Sequence, residues 1–314
     1  MRVEEVKKSE YIKNCTNNRN IFNKPEFIET NSSIVHEVKY LIIYKENSAR
    51  FRVCFGIKDD KSANCPFSAP FSYIEPIKEH MGIADYEEAA YALNTYFAQS
   101  GIRKATITFP PSFYDERNIN SWIQILLRAG WEIDYIDLNF SFCLRHVTDD
   151  YEGHLARNAR KNLHIAMGAD LSIYECTDLI QKKEAYRIIK DNRESKGYVL
   201  RMSEEQVQKT MEVVPSKMFI VKCGDENVAS ALIYDVTDTI AQVIYWGDMP
   251  GYSDKKVMNF LAYELVKIYH QRGFEYLDIG PSSDDGLPNY GLCDFKDSIG
   301  CERYMKFRLC KKFS

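Results

Sequence analysis

The same local plan occurs twice along this chain, once in each half. The first copy, YFAQSGIRKATITFPPS, spans Tyr96–Ser112, and the second, YHQRGFEYLDIGPS, spans Tyr269–Ser282. In both copies a helical pattern runs into a glycine, then into a β-rich run and a Pro-Ser pair. A short helical pattern closing on glycine follows each copy, and the next strand begins at Trp131 or Cys301. Two copies of one mixed α/β unit are the simplest explanation, and chance similarity of two helix–strand segments is the alternative.

Length and composition are those of a globular protein with two domains of ordinary size. The 314 residues are 45% hydrophobic and 27% charged, with a net charge of −4. No apolar run is long enough to cross a bilayer, and the first residues lack the apolar core of a signal peptide. The nine cysteines have no C-x-x-C spacing, which indicates a reducing compartment. We therefore expect a cytoplasmic protein without membrane insertion and without a general attraction to nucleic acid.

Changes in the hydrophobic pattern predict the domain boundaries. Residues 1–37 are polar and Asn-rich, which predicts an irregular N-terminal lead-in. The alternating run VKYLIIYKENSARFRVCFGI then indicates a hairpin, so we place a first domain at residues 38–148. Alternation ends between Arg145 and Tyr151, where a helical pattern begins. The second domain, residues 149–314, is predicted to carry the active site.

The second domain opens on a predicted helix with separate apolar and basic faces. The apolar positions at helical spacing run from Leu155 to Ala166. The basic residues on the other face are Arg157, Arg160, Lys161 and His164. Such a face could attract phosphate or a tRNA backbone. It could equally be an ordinary solvated helix face.

The clearest helical pattern, SDKKVMNFLAYELVKIYHQRG, has Ser253 as its predicted N-cap and lies between the strands AQVIYWG and YLDIG. In a mixed α/β sheet, ligands bind where neighbouring strands diverge or at their carboxyl ends. The candidate site residues at the ends of these two strands and in the following loop are Tyr245, Trp246, Asp248, Asp278 and Tyr290.

Each of these side chains also has a structural interpretation. Asp278 could orient an amine or act as a base, or it could accept hydrogen bonds from the turn that follows its strand. Asp248 has the same two interpretations. Tyr245 and Tyr290 could protonate a leaving group or line a pocket, but the chain has 21 tyrosines, most of which must serve the core or its rim.

The last forty or so residues resemble a known family. They contain, in order, the strand YLDIGPS, the acidic loop at Asp284 and Asp285, the segment GLCDFKDSIG and the strand CERYMKFRL. This order resembles the one found at the end of Fem-type transferases, the tandem-GNAT proteins. The resemblance implies an α/β (α+β) fold with tandem GNAT domains, each a mixed, mainly antiparallel twisted sheet flanked by helices. It also implies an N-acyltransferase that moves an acyl or aminoacyl group from an activated donor to an amine.

The same resemblance suggests roles for particular residues. Phe295 and Lys296 match a pair that the family places at its reaction centre, with Lys296 stabilising an oxyanion or a phosphate. The turn KGYVLR resembles a family segment whose arginine, here Arg201, grips an anionic substrate. The stretch RKNLHIAMGADLSI resembles the opening of the family's second domain, which adds Lys161 as a candidate for binding substrate anions.

The donor and the acceptor stay open. The loop WGDMPGYSDKK offers Gly247, Gly251 and Ser253 for a cofactor, but it lacks the basic residue and close glycine pair of the usual CoA loop. Asp254, expected in the first helical turn, would repel a pyrophosphate. Acyl-CoA is therefore a possible donor and aminoacyl-tRNA the alternative, so tRNA is a possible partner. The acceptor would be a small-molecule or peptidoglycan-precursor-like amine.

Other function classes are less consistent with the sequence. The six histidines show no H-x-x-x-H or H-E-x-x-H spacing, so no metal site is expected, and no G-x-S-x-G or Walker loop occurs. The remaining alternative is a catalytically inactive GNAT-like module that binds a peptide, a sugar nucleotide or RNA.

Overall fold

The computed structural model describes residues 1–14, 20–147 and 151–313. The strands are β1 (Arg2–Val6), β2 (Glu37–Lys45), β3 (Ser48–Ile57), β4 (Ser62–Cys65), β5 (Glu75–Pro76), β6 (Lys104–Thr108), β7 (Glu132–Cys143), β8 (Leu171–Glu175), β9 (Ser216–Cys223), β10 (Glu226–Asp235), β11 (Ile240–Asp248), β12 (Tyr276–Pro281), β13 (Ser283–Asp284), β14 (Leu287–Pro288) and β15 (Glu302–Lys312). The helices are α1 (Lys8–Lys13), α2 (Pro25–Thr30), α3 (Ile83–Gln99), α4 (Glu116–Arg128), α5 (Arg157–Met167), α6 (Leu179–Ser195), α7 (Glu204–Val213), α8 (Val257–Gln271) and α9 (Tyr290–Ser298).

The chain divides into two compact units. Unit 1 consists of Met1–Leu138, Ser283–Leu287 and Tyr304–Ser314, and unit 2 of Asn139–Ser282 and Pro288–Arg303. These bounds differ from the predicted domains 38–148 and 149–314. The chain crosses between the units more than once, and β7 and β15 each contribute residues to both.

Unit 1 contains a mixed sheet with strand order β1-β2-β3-β4-β6-β15, and β5 pairs with the other edge of β3. Within the described residues of this sheet, β4 and β6 pair in parallel, through Ser62–Cys65 and Lys104–Ile107, and the other pairs are antiparallel. The aromatic rings of Phe51, Tyr86 and Trp122 pack in the core, with ring centroids about 5 Å apart.

Unit 2 repeats this arrangement with strand order β7-β12-β11-β10-β9-β8. Here β11 and β12 are the parallel pair, and the helix α8 makes the crossover between them. The apolar stripe predicted for this helix is buried at Val257, Leu261 and Leu265. Its predicted N-cap is wrong, because Ser253 begins a separate 3₁₀ turn and Lys256, with a left-handed φ of 55°, precedes the helix.

The two units share one order of elements along the chain. Apart from the two-residue strands β5 in the first copy and β13 and β14 in the second, the first copy runs β1, α1, α2, β2, β3, β4, α3, β6, α4 and β7, and the second runs β8, α6, α7, β9, β10, β11, α8, β12, α9 and β15. The last strand of each copy joins the other copy's sheet. Thus β15 residues Arg308–Lys312 pair with β6, and β7 residues Asn139–Cys143 pair with β12.

The N-terminal segment differs from the irregular lead-in expected for residues 1–37. Strand β1 pairs with β2 along its whole length, and Tyr11 and Ile28 are buried against Tyr40. This segment is the first strand and helix pair of the first copy. The sequence gives little sign of it because both helices have only six residues, which is too short for a clear apolar period. Residues 15–19 of the lead-in, and 148–150 at the predicted boundary, lie outside the described part of the chain.

Among the helices in the described part of the chain, none is both long and apolar enough to span a bilayer. A cavity of about 20 Å³ in unit 1 is lined mainly by Phe22, Phe27, Ile28 and Phe67. It has room for about one water molecule, which is far too little for a substrate.

Candidate active site

The parallel strands β11 and β12 separate part-way along their length. They pair only through Ile240–Gln242 and Tyr276–Asp278, although β11 continues to Asp248 and β12 to Pro281. Strand β11 also carries one extra residue, Ile244, because Leu232 pairs with Tyr245 and Ile233 with Val243. Such bulges bend a strand and are common beside active sites. We call this region, where the two strands stop pairing, the β11–β12 divergence.

Asp278 lies at the start of the divergence and is completely buried. Its carboxylate accepts hydrogen bonds from Asn139 Nδ2 at 2.7 Å, from Gln242 Nε2 at 3.1 Å and from the Gly280 backbone N–H at 2.8 Å. These donors belong to β7, β11 and β12. The carboxylate therefore ties three neighbouring strands together at the point where two of them separate.

Asn139 and Gln242 were not among the residues predicted from the sequence. Both are almost completely buried, in strands whose inward positions are otherwise mostly apolar. A polar residue at an inward position of a strand is a usable signal, because a buried amide needs partners. The sequence did not indicate that one carboxylate would be the partner of both.

Lys296 is also buried, with only 2% of its surface exposed. Its ammonium on α9 donates to the backbone carbonyls of Ile279, Gly280 and Pro281 at 2.9, 2.9 and 3.1 Å. Burial lowers the pKa of Lys296 to about 8, although nearby Cys301 and Asp278 favour the charged form. Since an ammonium has three donors, these carbonyls use all of them. Lys296 thus holds the end of β12, where Gly280 has a φ of 71°.

Two aromatic residues of β11 point to opposite sides of the sheet. Tyr245 is buried under the guanidinium of Arg193, which lies 4.8 Å from its ring centroid. Trp246 packs its ring 6.4 Å from that of Phe295, the neighbour of Lys296. The predicted site residues are therefore divided between two sides of β11.

Arg193, at the end of α6, is a residue that the sequence analysis missed. Burial lowers the pKa of its guanidinium, and the nearby charge of Arg201 acts in the same direction. Burial raises the pKa of Tyr245, and the positive charges of both arginines act in the opposite direction. Neither has a carboxylate partner within the described residues. Two guanidinium groups without a carboxylate can hold an anion.

Asp248, at the end of β11, is engaged by α6. Asn192 Nδ2 donates to its backbone oxygen at 2.6 Å and to its carboxylate at 3.1 Å, and Lys196 lies 3.4 Å from the same carboxylate. Gly247 permits this close approach, because a Cβ there would lie 2.4 Å from Asn192 Oδ1. These contacts give Asp248 and Gly247 structural roles beside their predicted roles in binding.

Comparison with known proteins identifies the fold. No family model and no curated protein matches this sequence. Among solved structures, FemX is similar over 100% of this chain and 98% of its own, with a TM-score of 0.71 and 13% sequence identity. The chain has the tandem GNAT fold of the Fem type.

Two further structures share the tandem GNAT fold. A tandem GNAT protein from the clavulanic acid biosynthesis pathway is similar over 99% of this chain and 98% of its own, with a TM-score of 0.53 and 9% identity. L-PGS from Bacillus licheniformis is similar over 91% of both chains, with a TM-score of 0.57 and 11% identity. The predicted fold class is confirmed, and at such low identities the likeness concerns the fold alone.

In this tandem GNAT fold the predicted cofactor loop follows β11. Gly251 has a φ of 98°, a conformation that favours glycine, and Ser253 begins the 3₁₀ turn before α8. Asp254 lies in that turn and not in the first turn of α8, so its predicted position is wrong, and the repulsion of a pyrophosphate stays a prediction. Lys256 occupies the N-cap position instead.

The last two predicted residues lie at the surface. Tyr290 begins α9 with 77% of its surface exposed. Lys161 is exposed on α5, where its side chain forms no hydrogen bond or ion pair with another described residue. On the same helix, Arg160 donates to the Glu152 backbone oxygen and His164 pairs with the Glu152 carboxylate. Only part of the predicted basic face is therefore free to meet an anion.

Proposed function

We propose that unit 2 catalyses transfer of an acyl or aminoacyl group from an activated donor to an amine. The observation that carries this proposal is the β11–β12 divergence with Lys296 buried at its β12 side. Where two parallel strands separate, an extended donor can enter between them, and a buried cation nearby suits the negative charge that develops on an acyl oxygen. The tandem GNAT fold supports an acyltransferase in general terms.

In the proposed reaction the amine nitrogen attacks the acyl carbon, and the carbonyl electron pair moves onto oxygen. Collapse of the tetrahedral intermediate then breaks the bond to the donor's sulfur or oxygen, which leaves with a proton. Lys296 would stabilise the intermediate by exchanging its longest hydrogen bond, to Pro281, for one to the acyl oxygen. Phe295, against Trp246, would line the acyl group.

Asp278 is proposed as a positioning residue. Its three donors, from β7, β11 and β12, suit it to linking these strands at a fixed geometry. Its predicted action on the amine would then be indirect. Arg201, together with Arg193, would bind an anionic group of a substrate close to Tyr245, and Lys161, Asp248 and Tyr290 stay proposals for substrate binding.

The donor could be acyl-CoA or an aminoacyl-tRNA. The start of α8 and the residues before it, Gly247, Gly251 and Ser253, would face the phosphates of CoA. With Asp254 outside the helix, the sequence-based objection to CoA is weaker. The proposed acceptor is a small-molecule or peptidoglycan-precursor-like amine, with tRNA as a possible partner, and a cytoplasmic location stays a prediction.

One observation favours the alternative of an inactive binding module for a peptide, a sugar nucleotide or RNA. The ammonium of Lys296 is saturated by three carbonyls, and Asp278 accepts from three donors. Both groups would serve a purely structural role equally well in this arrangement. The two proposals therefore differ in whether Lys296 acts on a donor.

Calorimetric titration with acetyl-CoA and with CoA tests the first proposal, together with release of free CoA thiol in the presence of a panel of amines. We expect micromolar binding of acetyl-CoA. We expect Lys296→Met to reduce thiol release at least about tenfold, which corresponds to about 1.4 kcal/mol of lost transition-state stabilisation. The matched control is Lys311→Met in unit 1, which also removes a lysine that donates to a backbone carbonyl.

The outcomes separate the hypotheses. Unchanged thiol release in a folded Lys296→Met variant would show that Lys296 is not catalytic. Absence of binding at millimolar acetyl-CoA would direct the same comparison to aminoacyl-tRNA and its deacylation. If neither donor binds or reacts, the inactive binding module is the better account.

A further inference from the structure

Three potential metal ligands come together in unit 2, and none of them is a residue of the proposed acyl-transfer site. Cys143 ends β7, His146 ends the 3₁₀ turn that follows it, and Glu302 begins β15. One ligand atom from each lies within 4.8 Å of the other two, and His146 Nδ1 is 3.6 Å from a Glu302 carboxylate oxygen. No local spacing in the sequence indicates this group, because Glu302 is distant along the chain.

These distances are close to those between the ligands of a small tetrahedral cation. With zinc bonds of about 2.0–2.3 Å, neighbouring ligand atoms lie about 3.3–3.6 Å apart. The imidazole and carboxylate already have this separation. Cys143 is buried, whereas the side chains of His146 and Glu302 are 70% and 46% exposed. A small rotation of the two exposed side chains would bring their atoms to the fixed thiol.

The backbone around Cys143 is held firmly. Cys143 pairs with Tyr276 in the β7–β12 ladder, the Leu144 N–H donates to the Glu275 backbone oxygen, and the Val147 N–H donates to the Leu144 backbone oxygen. The two ligands that are close in sequence, Cys143 and His146, thus have fixed backbone positions. Such preorganisation lowers the cost of ordering the ligands around an ion.

One neighbouring cation opposes a bound ion. Arg145 interacts with the Cys143 thiol, but its guanidinium also donates to the Tyr276 hydroxyl, stacks on that ring at 4.9 Å and pairs with Glu275 at 3.6 Å. Arg145 therefore keeps several partners when an ion displaces it from the thiol. A thiolate and a carboxylate together neutralise a divalent cation, so the site carries no net charge.

We propose that Cys143, His146 and Glu302 bind Zn²⁺ as three protein ligands, with water in a fourth position. Sulfur, imidazole nitrogen and carboxylate oxygen are the donors that zinc takes in proteins. On binding, the Cys143 thiol releases its proton to solvent and the thiolate forms the metal–sulfur bond. The site is separate from the proposed acyl transfer and does not depend on it.

The test uses the full chain, stripped of metal by a chelator and titrated with Co²⁺ and with Zn²⁺. A bound Co²⁺ reports its ligands, because a thiolate ligand gives a near-ultraviolet charge-transfer band and a tetrahedral site gives intense visible bands. We expect one equivalent of Co²⁺ with a thiolate band, displaced by Zn²⁺. Cys143→Ser should abolish the band, and His146→Ala and Glu302→Gln should each weaken binding at least tenfold.

Two variants serve as controls. Cys223→Ser removes a partly exposed thiol elsewhere in unit 2, and His164→Ala breaks a histidine–glutamate pair that has no cysteine. Both should bind Co²⁺ as the wild type does. The proposal is overturned if no thiolate band forms, if Cys223→Ser abolishes it, or if both surface variants, His146→Ala and Glu302→Gln, bind with wild-type affinity. These surface variants keep the test valid even if Cys143→Ser does not fold.

Discussion

At the scale of single residues, two buried opposite charges define the end of β12. Lys296 directs its three donors to the carbonyls of Ile279–Pro281, and Asp278 receives the Gly280 N–H together with two side-chain amides. Burying a charge is costly unless its hydrogen-bonding capacity is met. Here backbone carbonyls satisfy Lys296, and one backbone N–H and two side-chain amides bind Asp278, which fixes the path of the strand beside the divergence.

The buried ammonium predicts a dependence of stability on pH. Lys296 has a pKa of about 8 in the folded protein and about 10.4 when unfolded. Between these values the unfolded chain binds one more proton, so the free energy of unfolding rises with pH, by up to about 3 kcal/mol. Below pH 8 the folded protein bears the full free-energy cost of burying the charged ammonium of Lys296. Lys296→Met lacks this rise, so chemical denaturation of both proteins from pH 7 to 10.5 should give diverging stabilities, and parallel curves would contradict the lowered pKa.

Sequence and structure agree unevenly at this scale. Lys296 and Asp278 could be named from the sequence because they stand in a recognisable segment and at a strand end. Their partners could not, because Asn139 and Gln242 lie on other strands, and only the pairing of β7 and β11 with β12 brings them to Asp278. Arg193 was missed because a charged residue near a helix end is usually a surface residue.

At the scale of elements, the packing of α6 against β11 depends on a residue without a side chain. Asn192 lies directly over Gly247, and its amide holds Asp248 at the strand end. A larger residue at 247 would push the helix from the strand that carries Tyr245. The glycine of this loop therefore serves the packing of a helix, whatever it does for a cofactor.

Gly247→Ala should destabilise the protein by about 1–3 kcal/mol, because the new methyl group overlaps the Asn192 side chain. Asn192→Ala removes the two nearest atoms, so the double variant should be more stable than the sum of the single changes predicts, by about 0.5 kcal/mol or more. Chemical denaturation of all four proteins measures this coupling. Gly291→Ala in α9, where nothing lies closer than 3.8 Å, should be neutral or slightly stabilising. Strict additivity would contradict the proposed overlap.

Long elements with a regular period were the best predicted. The stripe of α8 and the strands on either side of it agree with the structure, whereas Ser253 proved to be outside the helix. The prediction for the N-terminal segment failed for a physical reason: α1 and α2 have only six residues each, and β1 is stabilised by pairing with β2 and not by its own pattern.

At the scale of the whole molecule, the final strands are exchanged between the two copies of the repeat. Strand β15 completes the sheet of unit 1 by pairing with β6, and Leu309 is completely buried there. No local pattern in CERYMKFRL could indicate this, since a strand's sequence records which face is buried but not which strand lies beside it. The predicted second domain therefore included residues that belong to unit 1.

Leu309→Ala tests this assignment, because it should leave a cavity costing about 2–5 kcal/mol in unit 1. Hydrogen exchange followed by mass spectrometry should then speed up at Lys104–Thr108, the strand that pairs with Leu309. The reverse control is Leu277→Ala in β12, which should speed up hydrogen exchange first in unit 2. Faster exchange of β12 and unchanged exchange of β6 in Leu309→Ala would contradict the exchanged strands.

The exchange of strands also sets an order of events during synthesis. A ribosome releases β6 long before Arg308–Lys312 have been translated, so unit 1 must wait with an unpaired strand edge while the whole of the second copy emerges. Exposed strand edges are sites where nascent chains pair wrongly or aggregate. The protein cannot complete its domains one after the other as they are made, as many multidomain chains do, and its first half is expected to depend on chaperone protection until the last strand arrives.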